Sequence, residues 1–143
     1  MAGGVASEAS VDALMKLSES QLARAEAASA DPQKAMRLTR LALSTRRKHC
    51  HWGSVLRNHA ESAAFQLAMR LGDVATAREC CANVLAFFEV ALGHVPWHPS
   101  ISLERYTLGE LEARRGEVTA ACALLDHALD ALPISPPLVT RGR

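Results

Sequence analysis

The feature that most constrains this chain is a short segment that occurs twice. Residues 71–77, with the letters LGDVATA, recur 44 residues later as residues 115–121, with the letters RGEVTAA. A weaker copy, DPQKA at residues 31–35, ends at Ala35, which lies 42 residues before Ala77. Because a period of roughly 20–50 residues is the signature of stacked, similar units, the sequence predicts a repeat protein.

Apolar residues follow each copy at helical spacing. Their separations of three and four residues place a single apolar stripe on one face of an α-helix. The three sets are Ala35, Leu38, Ala42 and Leu43; Ala77, Cys80, Cys81, Val84, Leu85 and Phe88; and Ala121, Leu124, Leu125, Ala128, Leu129 and Leu132. Gly72 and Gly116 precede the two fuller sets, where a residue with positive φ can end one helix before the next begins. Each copy is therefore predicted to join two antiparallel helices.

The pattern predicts six helices, near residues 8–29, 32–48, 54–71, 74–93, 100–115 and 117–132. A composition that is 49% hydrophobic but only 4% aromatic, with few β-branched residues, also favours helix over sheet. The predicted fold is all-α, with three antiparallel helix pairs stacked as a short right-handed solenoid. The helical domain is expected over residues 11–132, between a flexible N-terminus, 1–10, and a flexible C-terminal tail, 133–143.

The overall charge of the chain argues against two classes of partner. Sixteen basic and fifteen acidic residues give a formal net charge of +1, so no global field attracts nucleic acid or an anionic membrane. No apolar run approaches the roughly 20 residues that span a bilayer, and residues 1–10 do not resemble a secretory signal. We therefore expect an intracellular protein, cytoplasmic and/or nuclear, with no nucleic-acid or membrane partner.

Histidines and cysteines near residue 50 suggest a metal site. His49, Cys50 and His51, with His59 further on, carry the imidazole and thiol groups that bind zinc. Structural zinc usually draws its ligands from two separated pairs, whereas adjacent residues point in different directions, so a polar interhelical loop is the better prediction. The four cysteines are expected to be buried free thiols. No metal ion, cofactor or catalytic residue is predicted.

The densest basic run lies at the end of the second predicted helix. It consists of Arg46, Arg47 and Lys48, and it is followed by His49 and His51. Such a run could bind a phosphate or an acidic peptide. A solvated helix end is the favoured interpretation, because cations suit the C-terminus of a helix.

The last repeat unit resembles a tetratricopeptide repeat. Leu108-Gly109, Gly116, Ala121, Ala128 and Pro133 fall at the Leu-Gly, turn, small-residue and closing-proline positions of that motif. The period of 42 to 44 residues, however, exceeds the roughly 34 of an ordinary tetratricopeptide repeat. The resemblance is therefore to families with elongated helix pairs.

Residues 11–132 resemble the C-terminal helical region of the SET and MYND domain lysine methyltransferases. The shared order is a Leu-Gly-Asp turn at residues 71–73, a His-Pro step at residues 98–99, and a Leu-Gly helix from residue 108. The zinc-binding MYND cysteines and the S-adenosylmethionine segments of the SET domain have no counterpart in this sequence. The resemblance thus implies a non-catalytic, protein-binding or regulatory module, of the kind that forms one wall of the substrate cleft and contacts partners.

The alternative is a free-standing tetratricopeptide adaptor, since kinesin light chain repeats are also long and have a similar His-Pro step. An exposed apolar flank would indicate a missing domain interface, whereas a polar outer face would indicate a self-sufficient adaptor. The expected partner is a protein or peptide with an acidic or carboxylate end, or a SET catalytic domain. Chaperone-binding tetratricopeptide domains bind carboxylates with their first helices, and the matching positions here give a candidate groove lining. It consists of Arg24, Ser62, Gln66, Arg70, Tyr106 and Arg114.

Overall fold

The computed structural model describes residues 3–95 and 97–131, and within them it contains six helices and no strand. The helices are α1 (Gly3–Ala27), α2 (Pro32–His49), α3 (Val55–Leu71), α4 (Val74–Ala91), α5 (Pro99–Arg114) and α6 (Val118–Ala131). The all-α prediction is confirmed, and α2 to α6 begin and end within two residues of their predicted bounds. Helix α1 begins at Gly3, so residues 3–10 of the segment predicted to be flexible are helical. The predicted tail, 133–143, lies outside the described residues.

The chain divides into two compact units, residues 1–87 and 88–143. In the first unit, α2 packs against both α1 and α3, and in the second unit α5 packs against α6. The core of the first unit consists of small and medium side chains, with Ala63 and Phe65 packed against it. Its buried members are Leu22, Ala42, Leu43, Ala60, Ala64 and Cys80. Because alanines bring helix backbones close together, this core needs few aromatic residues, which fits the composition.

Several helices begin after a residue whose side chain caps the first turn. Asp31 and Asp73 lie one residue before α2 and α4, and their carboxylates accept backbone N–H bonds from residues 34 and 76 at 3.2 and 3.1 Å. His98 caps α5 in a similar way, since its Nδ1 accepts the Ser100 N–H at 3.1 Å. Pro99 then occupies the first helical turn, where its missing N–H costs nothing. The fifth helix thus begins one residue before its predicted bound.

The two glycine turns have the same backbone conformation. Gly72 has φ 73° and Gly116 has φ 82°, which places both in the left-handed region that side chains disfavour. After each glycine, a backbone N–H donates to the carbonyl five residues earlier, a hydrogen bond that ends many helices. The Asp73 N–H donates to the Ala68 carbonyl at 2.9 Å, and the Glu117 N–H donates to the Glu112 carbonyl at 2.9 Å. The sequence repeat is thus a repeat of backbone structure.

Candidate functional site

An open groove runs between α1 and α3, which both pack against α2. It consists of two adjoining depressions of about 180 and 310 Å³, which share Leu22, Glu26 and His59. Its remaining lining is Glu19, Ala23 and Ala25 from α1, Ser29 from the turn after α1, Val55, Leu56, Ala63 and Leu67 from α3, and Thr39 and Arg46 from α2. The groove is therefore built from α1 and α3, with α2 beneath them.

The groove combines exposed apolar side chains with a charged rim. Val55 is 71% exposed and Leu56 is 49% exposed, although both are aliphatic. Glu19, Glu26 and His59 are exposed along the rim. Apolar surface that converges on a few polar groups is typical of a site that binds side chains of another molecule.

Arg46 lies beneath this groove and is only 3% exposed. Its Nε donates to Ser18 Oγ at 2.9 Å, and its Nη1 donates to the Leu56 carbonyl at 2.8 Å, so one side chain connects α1, α2 and α3. Both acceptors are neutral, and Arg46 forms no ion pair with any residue that the structure describes. The expectation of a solvated basic helix end is wrong for Arg46.

Arg47, the next residue, has a different environment. Its Nε and Nη2 donate to the two carboxylate oxygens of Glu61 at 2.8 and 2.7 Å, and Glu79 lies 3.4 Å from Nη1. Glu61 is 1% exposed and also accepts a hydrogen bond from Asn83 at 3.0 Å. The hydrogen bonds to Glu61 hold the pKa of Arg47 above its usual range, despite partial burial. This network connects α2, α3 and α4, and of the basic run only Lys48 is an exposed cation.

A second depression, of about 470 Å³, lies between α2 and α4. Two of its three cations are already neutralised, because Arg40 pairs with Asp73 at 3.1 Å and Arg47 pairs with the two glutamates, whereas Lys48 is exposed. Cys80 lies at its floor, where burial and the neighbouring carboxylate of Glu61 raise the pKa of the thiol to about 12. A thiol with such a pKa is not a nucleophile at neutral pH, so this depression offers no reactive group of that kind.

The six residues proposed from the sequence as a groove lining lie elsewhere. Ser62, Gln66 and Arg70 share one face of α3, since they are four residues apart, and they do not line the groove between α1 and α3. Arg24 lies with Lys34 in a separate depression between α1 and α2. The remaining two, Tyr106 and Arg114, are exposed on α5 in the second unit. The six stay a prediction, and their sequence pattern did not reveal Glu19, Glu26, Arg46 or His59.

The histidines and cysteine near residue 50 lie at the end of α2 and in the largely exposed loop that follows it. His51 Nδ1 accepts the Gly53 N–H at 3.0 Å, and its ring stacks on Trp52 with centroids 5.1 Å apart. Within the described ranges, no group of three metal-binding side chains is placed to hold an ion. Of the four cysteines, all free thiols, the prediction of burial is confirmed for Cys80 and Cys81; Cys50 is half-buried, and the prediction is wrong for the exposed Cys122.

Comparison with protein-family models and with curated proteins gave no match. No helix in the described part of the chain has the length and apolar character that crossing a membrane requires.

Proposed function

We propose that this chain is a non-catalytic, tetratricopeptide-like module that binds a protein partner in the groove between α1 and α3. The observation that carries the proposal is the groove itself: exposed aliphatic side chains and a charged rim, with a helix as its floor. Surfaces that bind extended segments in helical repeat proteins are built in the same way, from the successive first helices of stacked pairs.

Two repeated features support a solenoid of three stacked pairs. The first is the glycine turn, which has the same hydrogen bonds at residues 68–77 and 112–121. The second is an ion pair between neighbouring helices. Arg47 of α2 pairs with Glu61 of α3 at 2.7 Å, and Glu89 of α4 pairs with Arg105 of α5 at 3.2 Å. Arg47 lies 42 residues before Glu89, and Glu61 lies 44 residues before Arg105, so the two pairs occupy matching positions. Equivalent contacts at the repeat period are what stacked pairs require.

We further propose that a larger protein covers α6, as the C-terminal region of a SET and MYND domain methyltransferase would be covered. Val118 and Leu129 are 65% and 52% exposed, and Cys122 is exposed between them. Residues 118, 122 and 129 share one face of the helix. An apolar flank of this kind favours a domain interface over a free-standing adaptor, which needs a polar outer face.

A pull-down from cell extract with matched variants tests partner binding. The groove variant carries Ala23→Glu and Val55→Glu, which place charges on two exposed positions of the lining. The control is Leu41→Glu, an exposed leucine of α2 that lies outside the groove. We expect wild type and control to retain the same partner and the groove variant to lose it, with equal helicity by circular dichroism in all three.

A further variant decides between the two candidate surfaces. Changing Arg24, Arg70 and Arg114 together to alanine removes the cations proposed from sequence and leaves the groove intact. Loss of the partner in this variant alone would move the binding site to those residues. Equal retention in every variant, or no specific partner for wild type, would contradict binding through the groove.

A further inference from the structure

We infer that Arg46 anchors a carboxylate of the bound partner at the floor of the groove between α1 and α3. The inference rests on the proposed function, which it deepens by naming the chemistry of the ligand. It begins from an imbalance of charge: Arg46 is a buried cation that has hydrogen bonds but no counter-ion among the described residues. Burying an ionised group is unfavourable unless it is paired with the opposite charge.

The hydrogen-bonding capacity of Arg46 is only partly used. The guanidinium has N–H donors on three nitrogens, and only Nε and Nη1 have acceptors among the residues that the structure describes. Nη2 has none there, and it is not among the fully buried polar atoms that lack a partner, so it keeps accessible surface on a residue that lines the groove. A carboxylate placed there would supply both the missing acceptor and the missing charge.

The adjacent arginine, Arg47, is paired with carboxylates of the same chain. Arg47 receives two carboxylates, Glu61 and Glu79, and two of its nitrogens bind the two oxygens of Glu61. Arg46 is more buried than Arg47 yet has neither. Within one helix, Arg47 is thus neutralised by carboxylates of the protein, whereas Arg46 is available to a ligand.

The surroundings of Arg46 define the rest of the ligand. Val55 and Leu56 lie in the same depression and suit an aliphatic side chain next to the carboxylate. Glu19 lies there as well but is not within ion-pair distance of Arg46. Its charge repels an incoming carboxylate, so the occupant must combine charge with apolar contact. We assign the site to a peptide segment in which an acidic residue adjoins a leucine-like residue.

Nuclear magnetic resonance of the arginine side chains tests this assignment on the wild-type protein. The probes are sodium acetate, exchanged for sodium chloride at constant ionic strength, and the peptides acetyl-Leu-Leu-Asp-Leu-amide and acetyl-Leu-Leu-Asn-Leu-amide. We expect the Nε–H signal of Arg46 to shift and saturate with acetate and with the Asp peptide, while that of Arg47 stays in place. The Asp peptide should bind about tenfold more tightly than the Asn peptide, as a charge-assisted hydrogen bond implies.

The variant Glu19→Gln provides a second measurement without disturbing the fold, because Glu19 is exposed. It should strengthen binding of the Asp peptide and leave the Asn peptide unchanged. An Arg46 signal that is insensitive to acetate overturns the anchor. A response to acetate with no preference between the two peptides overturns the peptide assignment and leaves a site for free anions. Because these readouts need no cellular partner, a failed pull-down with a saturating Arg46 signal would reject the proposed function alone.

Discussion

The two interhelical ion pairs occupy matching positions but have opposite polarity. Between α2 and α3, the buried member is the carboxylate of Glu61, whose side chain is 2% exposed, and Arg47 is 28% exposed. Between α4 and α5, the buried member is the cation of Arg105, 11% exposed, and Glu89 is 45% exposed. The repeat thus preserves the place of a charge pair and not the residue that carries each charge. What differs is how completely the buried charge is surrounded by partners.

Removing the buried charge should have the largest effect at the first pair. Glu61→Gln leaves Arg47 without its bidentate carboxylate in a half-buried site, and we expect a loss of about 2–3 kcal/mol in the free energy of unfolding. Arg105→Met keeps an apolar stem and leaves Glu89 hydrated, so its loss should stay below about 1 kcal/mol. Urea unfolding followed by circular dichroism measures both. Equal losses would mean that burial of the charge does not distinguish the pairs.

Reversing the first pair would convert its polarity to that of the second. Arg47→Glu and Glu61→Arg should each destabilise the protein, and the double variant should recover about 1–2 kcal/mol of the summed losses. Recovery should be incomplete, because Arg57 lies 3.6 Å from Glu61 and would repel an arginine at that position. A double-mutant cycle measures the coupling. Full recovery would show that Arg57 does not repel the new arginine. No recovery would show that the two residues are not coupled.

Replacing the glycine should lower the stability of the protein equally at the two turns, in contrast to the changes at the ion pairs. Gly72→Ala and Gly116→Ala each force a side chain into positive φ, and no atom lies within 4 Å of the added Cβ at either site. The cost is therefore conformational alone, about 1 kcal/mol each. Thermal unfolding of the two variants measures it, with Asn as the control substitution because it tolerates this conformation better. Unequal losses would show that the turns differ beyond their backbone.

The sequence predicted these helices well because their signals are local. The periodic stripe and the turn glycines depend only on neighbouring residues, and each was found where it was expected. Arg46 was mistaken for a solvated residue because cations suit helix ends, although it continues the stripe through Ala35, Thr39 and Ala42 by four more residues. Such periodicity could have identified it as buried. Its missing counter-ion could not be foreseen, because that depends on which side chains α1 and α3 bring to it.

The smallest expected effect concerns the helix caps of the two copies at residues 31 and 73. Hydrogen bonds from Thr76 and the charge of Arg40 lower the pKa of Asp73 below its usual value, so its ionised form is favoured in the folded state. A lowered folded pKa contributes stability above the unfolded pKa, near 4, and that stability is lost as the pH falls through the folded value. Asp73→Asn should therefore destabilise the protein by less than about 1 kcal/mol at pH near 7, and by still less in acid.

The matched control for Asp73 is Asp31→Asn, since the Asp31 carboxylate caps α2 through the Lys34 N–H at 3.2 Å. Asp73 additionally accepts from Thr76 Oγ1 at 2.6 Å and from Arg40 at 3.1 Å, so its replacement should cost more than that of Asp31. Urea midpoints of the three proteins between about pH 7 and pH 3 test both statements, because acid neutralises the carboxylate of wild type and removes its advantage over asparagine. A difference between wild type and Asp73→Asn that persists unchanged in acid would assign the effect to side-chain shape, not charge.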